Sequence, residues 1–139
     1  MKKSIKIFTL LVSVIALAYY CYQLFGDPNG KKFKVDDKHN VYYKGEAVTK
    51  EDAKKAGSYF NDLGYFTADN EIDIQLEAEN NTDMKVRFVV DKSKISPEID
   101  SGFLLIGADM RSKIFPQKKL SVILTDDSFD DIKDLGSVK

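Results

Sequence analysis

The sequence contains no tryptophan, one cysteine, one histidine and three prolines in 139 residues. Each shortage removes a class of mechanism. One cysteine, Cys21, excludes a disulfide framework within the chain and the paired thiolates of a metal carrier, leaving a lipid or an intermolecular disulfide on Cys21 as a minor alternative. The single histidine, His39, stands in a predicted turn with no serine, cysteine or acid tied to it by spacing. It therefore reads as a surface histidine rather than the base of a triad. The glycine-rich patterns G-x-G-x-x-G and G-x-x-x-x-G-K-[ST] and the nucleophile pattern G-x-S-x-G are all absent.

An excess of positive charge is also missing. Three of the 21 basic residues (Lys2, Lys3 and Lys6) precede every one of the 22 acids. The remainder carries 18 basic residues against 22 acidic ones, a net of −4, which offers no electrostatic footprint for nucleic acid.

Charge disappears altogether between Ile7 and Phe25. These 19 residues would span roughly 28 Å as a helix, close to a hydrocarbon core of about 30 Å. Thr9, Ser13 and Gln23 are the clearly polar members, too few for a polar face. Ala16-Leu17-Ala18 fits a small-x-small cleavage site behind a basic start. The apolar run nevertheless continues past it through Tyr19, Tyr20, Cys21, Tyr22, Leu24 and Phe25, with tyrosines placed like an interfacial belt. The reading favoured over cleavage is a signal-anchor crossing the cytoplasmic membrane once, N-terminus in and domain outside. The division expected is a basic segment (1–6), a transmembrane helix (7–25), a linker (26–40), an α+β domain (41–135) and a tail (136–139).

Within the domain the patterns are local and specific. Thr49-x-x-Asp52 predicts a capping box, Ala53, Ala56, Phe60 and Leu63 form one apolar stripe, and Gly64 predicts a left-handed C-cap. Ile72, Ile74, Leu76 and Ala78 alternate with polar residues. Met84, Val86, Phe88 and Val90 do so after a turn, and the two runs predict an antiparallel hairpin with Leu76 opposite Val86 and Ile74 opposite Phe88. One face of that hairpin is expected to be buried and the other wet. Ser96-Pro97-Glu98 starts a second helix, whose wide apolar stripe predicts deeper burial than the first. Leu120 to Thr125 is a strong strand, with an edge strand or helical turn after it. Phe33-Lys34-Val35 pairs as a candidate hairpin with Val41-Tyr42-Tyr43. The order β-α-β-β-α-β predicts a ferredoxin-like sandwich, two helices on one face of a mainly antiparallel sheet.

Two constellations remain. Asp126, Asp127, Asp130 and Asp131 supply enough oxygens for calcium, but without EF-hand spacing they read as a solvated acidic turn and only a weak metal candidate. Tyr42, Tyr43, Tyr59 and Tyr65 are candidate partner anchors.

The stretch VYYKGEAVTKEDAKKAGSYFNDLGYF, followed by IDIQLEAENNTDMKVRFVV, resembles a set of little-characterised bacterial extracytoplasmic α+β domains carried behind an N-terminal signal or anchor. The resemblance covers residues 41–125 and implies location and layout, with no catalytic residues to transfer. The expected function is a membrane-tethered, non-catalytic interaction module without a cofactor. Its expected partners are the lipid bilayer, through the run from Ile7 to Phe25, and another membrane or envelope protein. The alternative is a small exported enzyme or small-ligand-binding domain.

Overall fold

The computed structural model describes residues 2–25 and 28–139. In chain order the elements are α1 (Lys2–Phe25), β1 (Lys31–Lys34), β2 (His39–Lys44), α2 (Lys50–Leu63), β3 (Ile72–Glu77), β4 (Asp83–Val89), a 3-10 turn (Lys92–Lys94), α3 (Pro97–Ile114), β5 (Lys119–Thr125) and β6 (Asp131–Ser137).

The helix ends follow from their capping residues. The Thr49 side chain accepts from the Asp52 backbone N–H at 3.2 Å while Asp52 accepts from the Thr49 N–H at 2.9 Å, the reciprocal box worth about 1 kcal/mol. Gly64 closes α2 at φ +77°. Ser96 caps α3 ahead of Pro97, and the Ile99 N–H donates to its hydroxyl.

The six strands lie side by side in chain order. Pairs β1/β2, β3/β4 and β5/β6 are antiparallel; β2/β3 and β4/β5 are parallel, each closed by its own helix. This overturns the ferredoxin-like expectation. There the second βαβ unit interleaves with the first and every neighbour is antiparallel. Here each unit closes on an adjacent strand, the sheet is mixed, and β1 covers the edge of β2.

Both helices lie on the same face. The Phe88 ring of β4 meets Phe60 of α2 at 5.8 Å and Phe103 of α3 at 4.8 Å between centroids. The crossovers β2-α2-β3 and β4-α3-β5 step the same way across the sheet, along strands that point in opposite directions. They are therefore of opposite hand, and one runs against the strong right-handed preference.

The β3/β4 register is Ile74 opposite Phe88 and Leu76 opposite Val86, as the alternation dictates. Rows Val41–Ile74–Phe88–Leu124 and Tyr43–Leu76–Val86–Val122 cross four strands under the helices and form the core. The opposite face differs from the wet surface expected. There Gln75 and Arg87 are only 3% and 7% exposed, because Asn29 and the residues from Ser128 to Asp131 gather over them. The burial of the helices is also reversed. In α2, Ala53, Ala56, Gly57, Tyr59 and Phe60 are buried; in α3 only Gly107 and Met110 are, and Leu105 is 71% exposed.

The first helix requires the largest correction. The run does form one helix, α1, and the Thr9 and Ser13 hydroxyls donate to the Ile5 and Thr9 carbonyls four residues back. Yet among the described residues no helix is long and apolar enough to cross a membrane. This overturns the transmembrane signal-anchor and the single-pass placement with the domain outside. The side chains of Tyr22, Leu24 and Phe25, and all of Gly26 and Asp27, belong to that expectation and lie outside the described residues.

Residues expected as linker carry β1 and the start of β2, with Phe33 opposite Val41. The expected tail contributes the end of β6 and a buried Val138, whose N–H donates to the Leu120 carbonyl at 2.9 Å.

Two glycines predict opposite outcomes. Gly45 leaves β2 at φ +100°, and a Cβ there would lie 2.3 Å from the Ala78 carbonyl oxygen. Gly45→Ala is expected to cost about 2 kcal/mol or more. Gly102, inside α3, has nothing within 4 Å of an added Cβ, so Gly102→Ala is expected to stabilise by up to about 1 kcal/mol. Urea unfolding of both variants checks the pair of signs.

Candidate functional site

The aspartates 126, 127, 130 and 131 are not assembled around an ion. Asp126 Oδ1 accepts from the Ser128 and Asp130 backbone N–H groups at 2.9 and 3.0 Å, shaping its own turn. Asp131 turns inward and accepts from Arg87 Nε at 2.8 Å. Among the described residues no group of three or more His, Cys, Asp or Glu side chains is placed to hold a metal.

The four tyrosines are also divided. Tyr43, Tyr59 and Tyr65 lie on the helix side of the sheet and pack into the core. Tyr42 faces the other way, its ring edge-on to Phe129 at 5.4 Å. Burial pushes the Tyr65 hydroxyl up to about 12. Burial, then the hydrogen bond to Asp109 and its charge, push Tyr59 well above the ordinary tyrosine value. No single aromatic patch results.

Two of the concave regions among the described residues bear on function. The first is a cleft of about 610 Å³ on the face without helices. Its floor is one cross-strand row, Tyr42–Gln75–Arg87–Ile123. Arg87 Nη1 donates to Gln75 at 3.1 Å and to the Glu77 carboxylate, while its Nε holds Asp131. Burial lowers the guanidinium pKa, but the bonds to Asp131 and Glu77 outweigh it and the net shift is upward. Arg87 is therefore a permanent cation clasping the β5–β6 segment over the sheet. Phe129, in that segment, adopts φ +61°, a strained conformation for a bulky side chain. Gln75, Glu77 and Asp131 are thus engaged by Arg87, and Gln75 Nε2 also donates to the Asn29 carbonyl at 2.9 Å.

His39 offers no catalytic alternative. Expected at the surface, it is 2% exposed. Its Nδ1 lies 2.8 Å from both carboxylate oxygens of Asp36 and its Nε2 lies 2.7 Å from Asn70 Oδ1, so both nitrogens are committed to structure.

The second region is a groove of about 580 Å³ along the outer side of α2, bounded by the C-terminal end of α3. Its lining sets Lys54, Lys55 and Lys113 beside the acids Glu51 and Asp62, around Ser58, Tyr59, Leu63 and Ile114. The floor is fixed, because the Tyr59 hydroxyl donates to Asp109 at 2.7 Å and Asp109 pairs with Lys113 at 3.1 Å. Leu63 completes the stripe of Ala53, Ala56 and Phe60 yet stays 45% exposed. Among the described residues no ion pair neutralises Lys54 or Lys55.

Sequence reasoning missed Arg87, His39 and the groove. Asp36-x-x-His39 hinted at a local pair, but Asn70, 31 positions from His39, gave no sign of belonging to it. The alternation puts Arg87 on the hairpin face expected to be wet, because nothing in the hairpin reports what folds over it.

A family model described as "AF_1994_N: family N-terminal domain" matches residues 32–137. No curated protein and no solved structure matches the chain.

Proposed function

The chain belongs to the AF_1994_N family, whose N-terminal-domain model matches residues 32–137, and from that premise we propose that it is a non-catalytic module holding a segment of a partner protein in the groove along α2. The observation that carries this reading is an apolar floor left uncovered between unpaired lysines. Covering the exposed part of Leu63 alone contributes about 2 kcal/mol. Lys54 and Lys55 on the rim favour a segment with apolar side chains and acidic flanks. The sheet edges are poor alternatives. β1 reads Lys-Lys-Phe-Lys, and β6 pairs through two register shifts, both features that discourage strand addition.

The test places a photo-crosslinking residue at Ser58 in the full chain, expressed in its native cells, with Lys85 on β4 as the control position. A discrete adduct at Ser58 and none at Lys85 is expected, with K54E/K55E cutting the adduct about tenfold, equivalent to roughly 1.4 kcal/mol of binding. Absence of a Ser58 adduct, or one indifferent to the charge reversal, would remove this reading.

A small polar ligand in the cleft beneath Phe129 is the second reading, favoured by the strained backbone there. It requires that such a ligand raise the melting temperature of the wild type and not of Ser128→Trp, which fills the rim.

A further inference from the structure

We infer that His39 is a resident imidazolium that latches the loop after α2 to the turn between β1 and β2, and that losing its second proton opens the latch. The hydrogen-bond geometry requires two ring protons. Nδ1 faces a carboxylate, which only accepts, at 2.8 Å from each oxygen. Nε2 faces Asn70 Oδ1, and the orientation of that amide is set independently. The Thr67 N–H donates to Oδ1 at 3.0 Å, and Asn70 Nδ2 donates to the Tyr65 carbonyl at 3.0 Å. Flipping the amide would set donor against donor at Thr67 and acceptor against acceptor at Tyr65. Nε2 must therefore donate as well. A neutral ring, whichever tautomer it took, would direct a lone pair at an oxygen less than 3 Å away.

The surroundings leave Asp36 as the charge that answers the ring. Asp36 also accepts from the Lys38 and His39 backbone N–H groups at 2.8 and 2.9 Å. Lys38 turns away and donates to the Ala68 carbonyl, Asp37 pairs with Lys34, and Asp73 of β3 is held by Asn40. The loop side presents Asn70 and the Phe66 ring, stacked on the imidazole at 4.6 Å between centroids. Burial lowers the His39 pKa, but the bonds to Asp36 and Asn70 outweigh it, and the net shift is upward from 6.5. The bond to His39, above all, holds the Asp36 carboxyl below its ordinary value.

The signs then define a window. A raised histidine pKa gives stability that is complete below the unfolded value of about 6.5 and lost as pH rises through the folded value. A depressed carboxyl gives stability present above its unfolded value and lost as pH falls through the folded one. The latch is closed between the two folded values and opens on either side. Its alkaline opening frees the loop that begins at Gly64, immediately after Leu63.

The experiment is a nitrogen-15 titration of the histidine ring in the full chain, with melting curves of wild type, H39Q and D36N. At about pH 6 both ring N–H groups should be visible, and the midpoint should lie above the unperturbed value of about 6.5. D36N should lower that midpoint. The wild type should lose several degrees of melting temperature between about pH 6 and about pH 9, whereas H39Q should lose much less across that range. A ring with a single N–H at the acid end, a midpoint unmoved by D36N, or parallel melting profiles for wild type and H39Q would overturn the inference. Should H39Q fail to fold, the ring titration of the wild type and D36N decides it.

Discussion

Arg87→Ala should remove about 3–5 kcal/mol of stability, the loss expected when one partner of a buried ionic cluster is deleted. The Arg87 side chain is 9% exposed and the Glu77 side chain 20%, so alanine would leave Glu77 mostly buried without its cation. Gln75 would lose its bond to Nη1, and Asp131 would lose its hold on the sheet. The Asp131 side chain is 52% exposed, and water can replace its partner, so Asp131→Ala should cost about 1 kcal/mol or less. Arg87→Met combined with Glu77→Gln should recover part of the loss, because the stem is kept and the orphaned charge is gone. Urea unfolding of the four proteins measures the series. An Arg87→Ala protein within 1 kcal/mol of wild type would mean that the cluster is a solvated surface pair and that the β5–β6 segment is held by something else.

Phe88→Ala should cost a similar 3–5 kcal/mol, for a different reason. Phe88 is fully buried and is the point where both helices meet the sheet. Its ring lies 5.8 Å from Phe60, 6.0 Å from Tyr65 and 4.8 Å from Phe103 between centroids. Those neighbours belong to α2, the loop after it and α3, so the cavity cannot close by moving one element. Against a total stability of about 5–15 kcal/mol that is a large fraction, and the melting temperature should fall well below that of the wild type. Leu105→Ala on the outer face of α3 removes a similar apolar group that is 71% exposed, and should change stability by less than about 0.5 kcal/mol. Thermal unfolding followed by circular dichroism separates the two. Comparable losses at both positions would contradict the assignment of the core to the sheet face beneath the helices.

The contrast between Phe88 and Leu105 shows where sequence reading succeeds. Phe88 sits in a strict two-residue alternation, which assigns its face and pairs it with Ile74 without reference to any distant residue. Leu105 sits in the unbroken apolar run from Gly102 to Ala108, where periodicity cannot decide which side meets the sheet. The expectation that α3 lies deeper than α2 failed for that reason. The capping residues Thr49, Asp52, Gly64 and Ser96 were legible because each cap is completed within a few positions.

The candidate site was much less legible. The groove exists because α3 leaves the outer side of α2 uncovered, and Lys54, Lys55 and Leu63 carry no sign of that in sequence. Tyr42, Tyr43, Tyr59 and Tyr65 look like one group in composition, yet strand alternation sends Tyr42 to the opposite face. The apolar run in α1 drew a placement from composition alone that the described helix does not support.

Residue order alone settles what is local. It sets the ends of α2 and α3, the face each strand residue takes, and the β3/β4 register, since all depend on bonds and contacts between residues close along the chain. Strand order, the parallel return of α2 and α3 onto adjacent strands, the burial of Arg87 beneath the β5–β6 segment and the meeting of Asp36, His39 and Asn70 belong to the tertiary structure. Each requires the chain to come back from tens of residues away. The free energy that selects one return over another is spread across the whole packed interface, so no short pattern carries it.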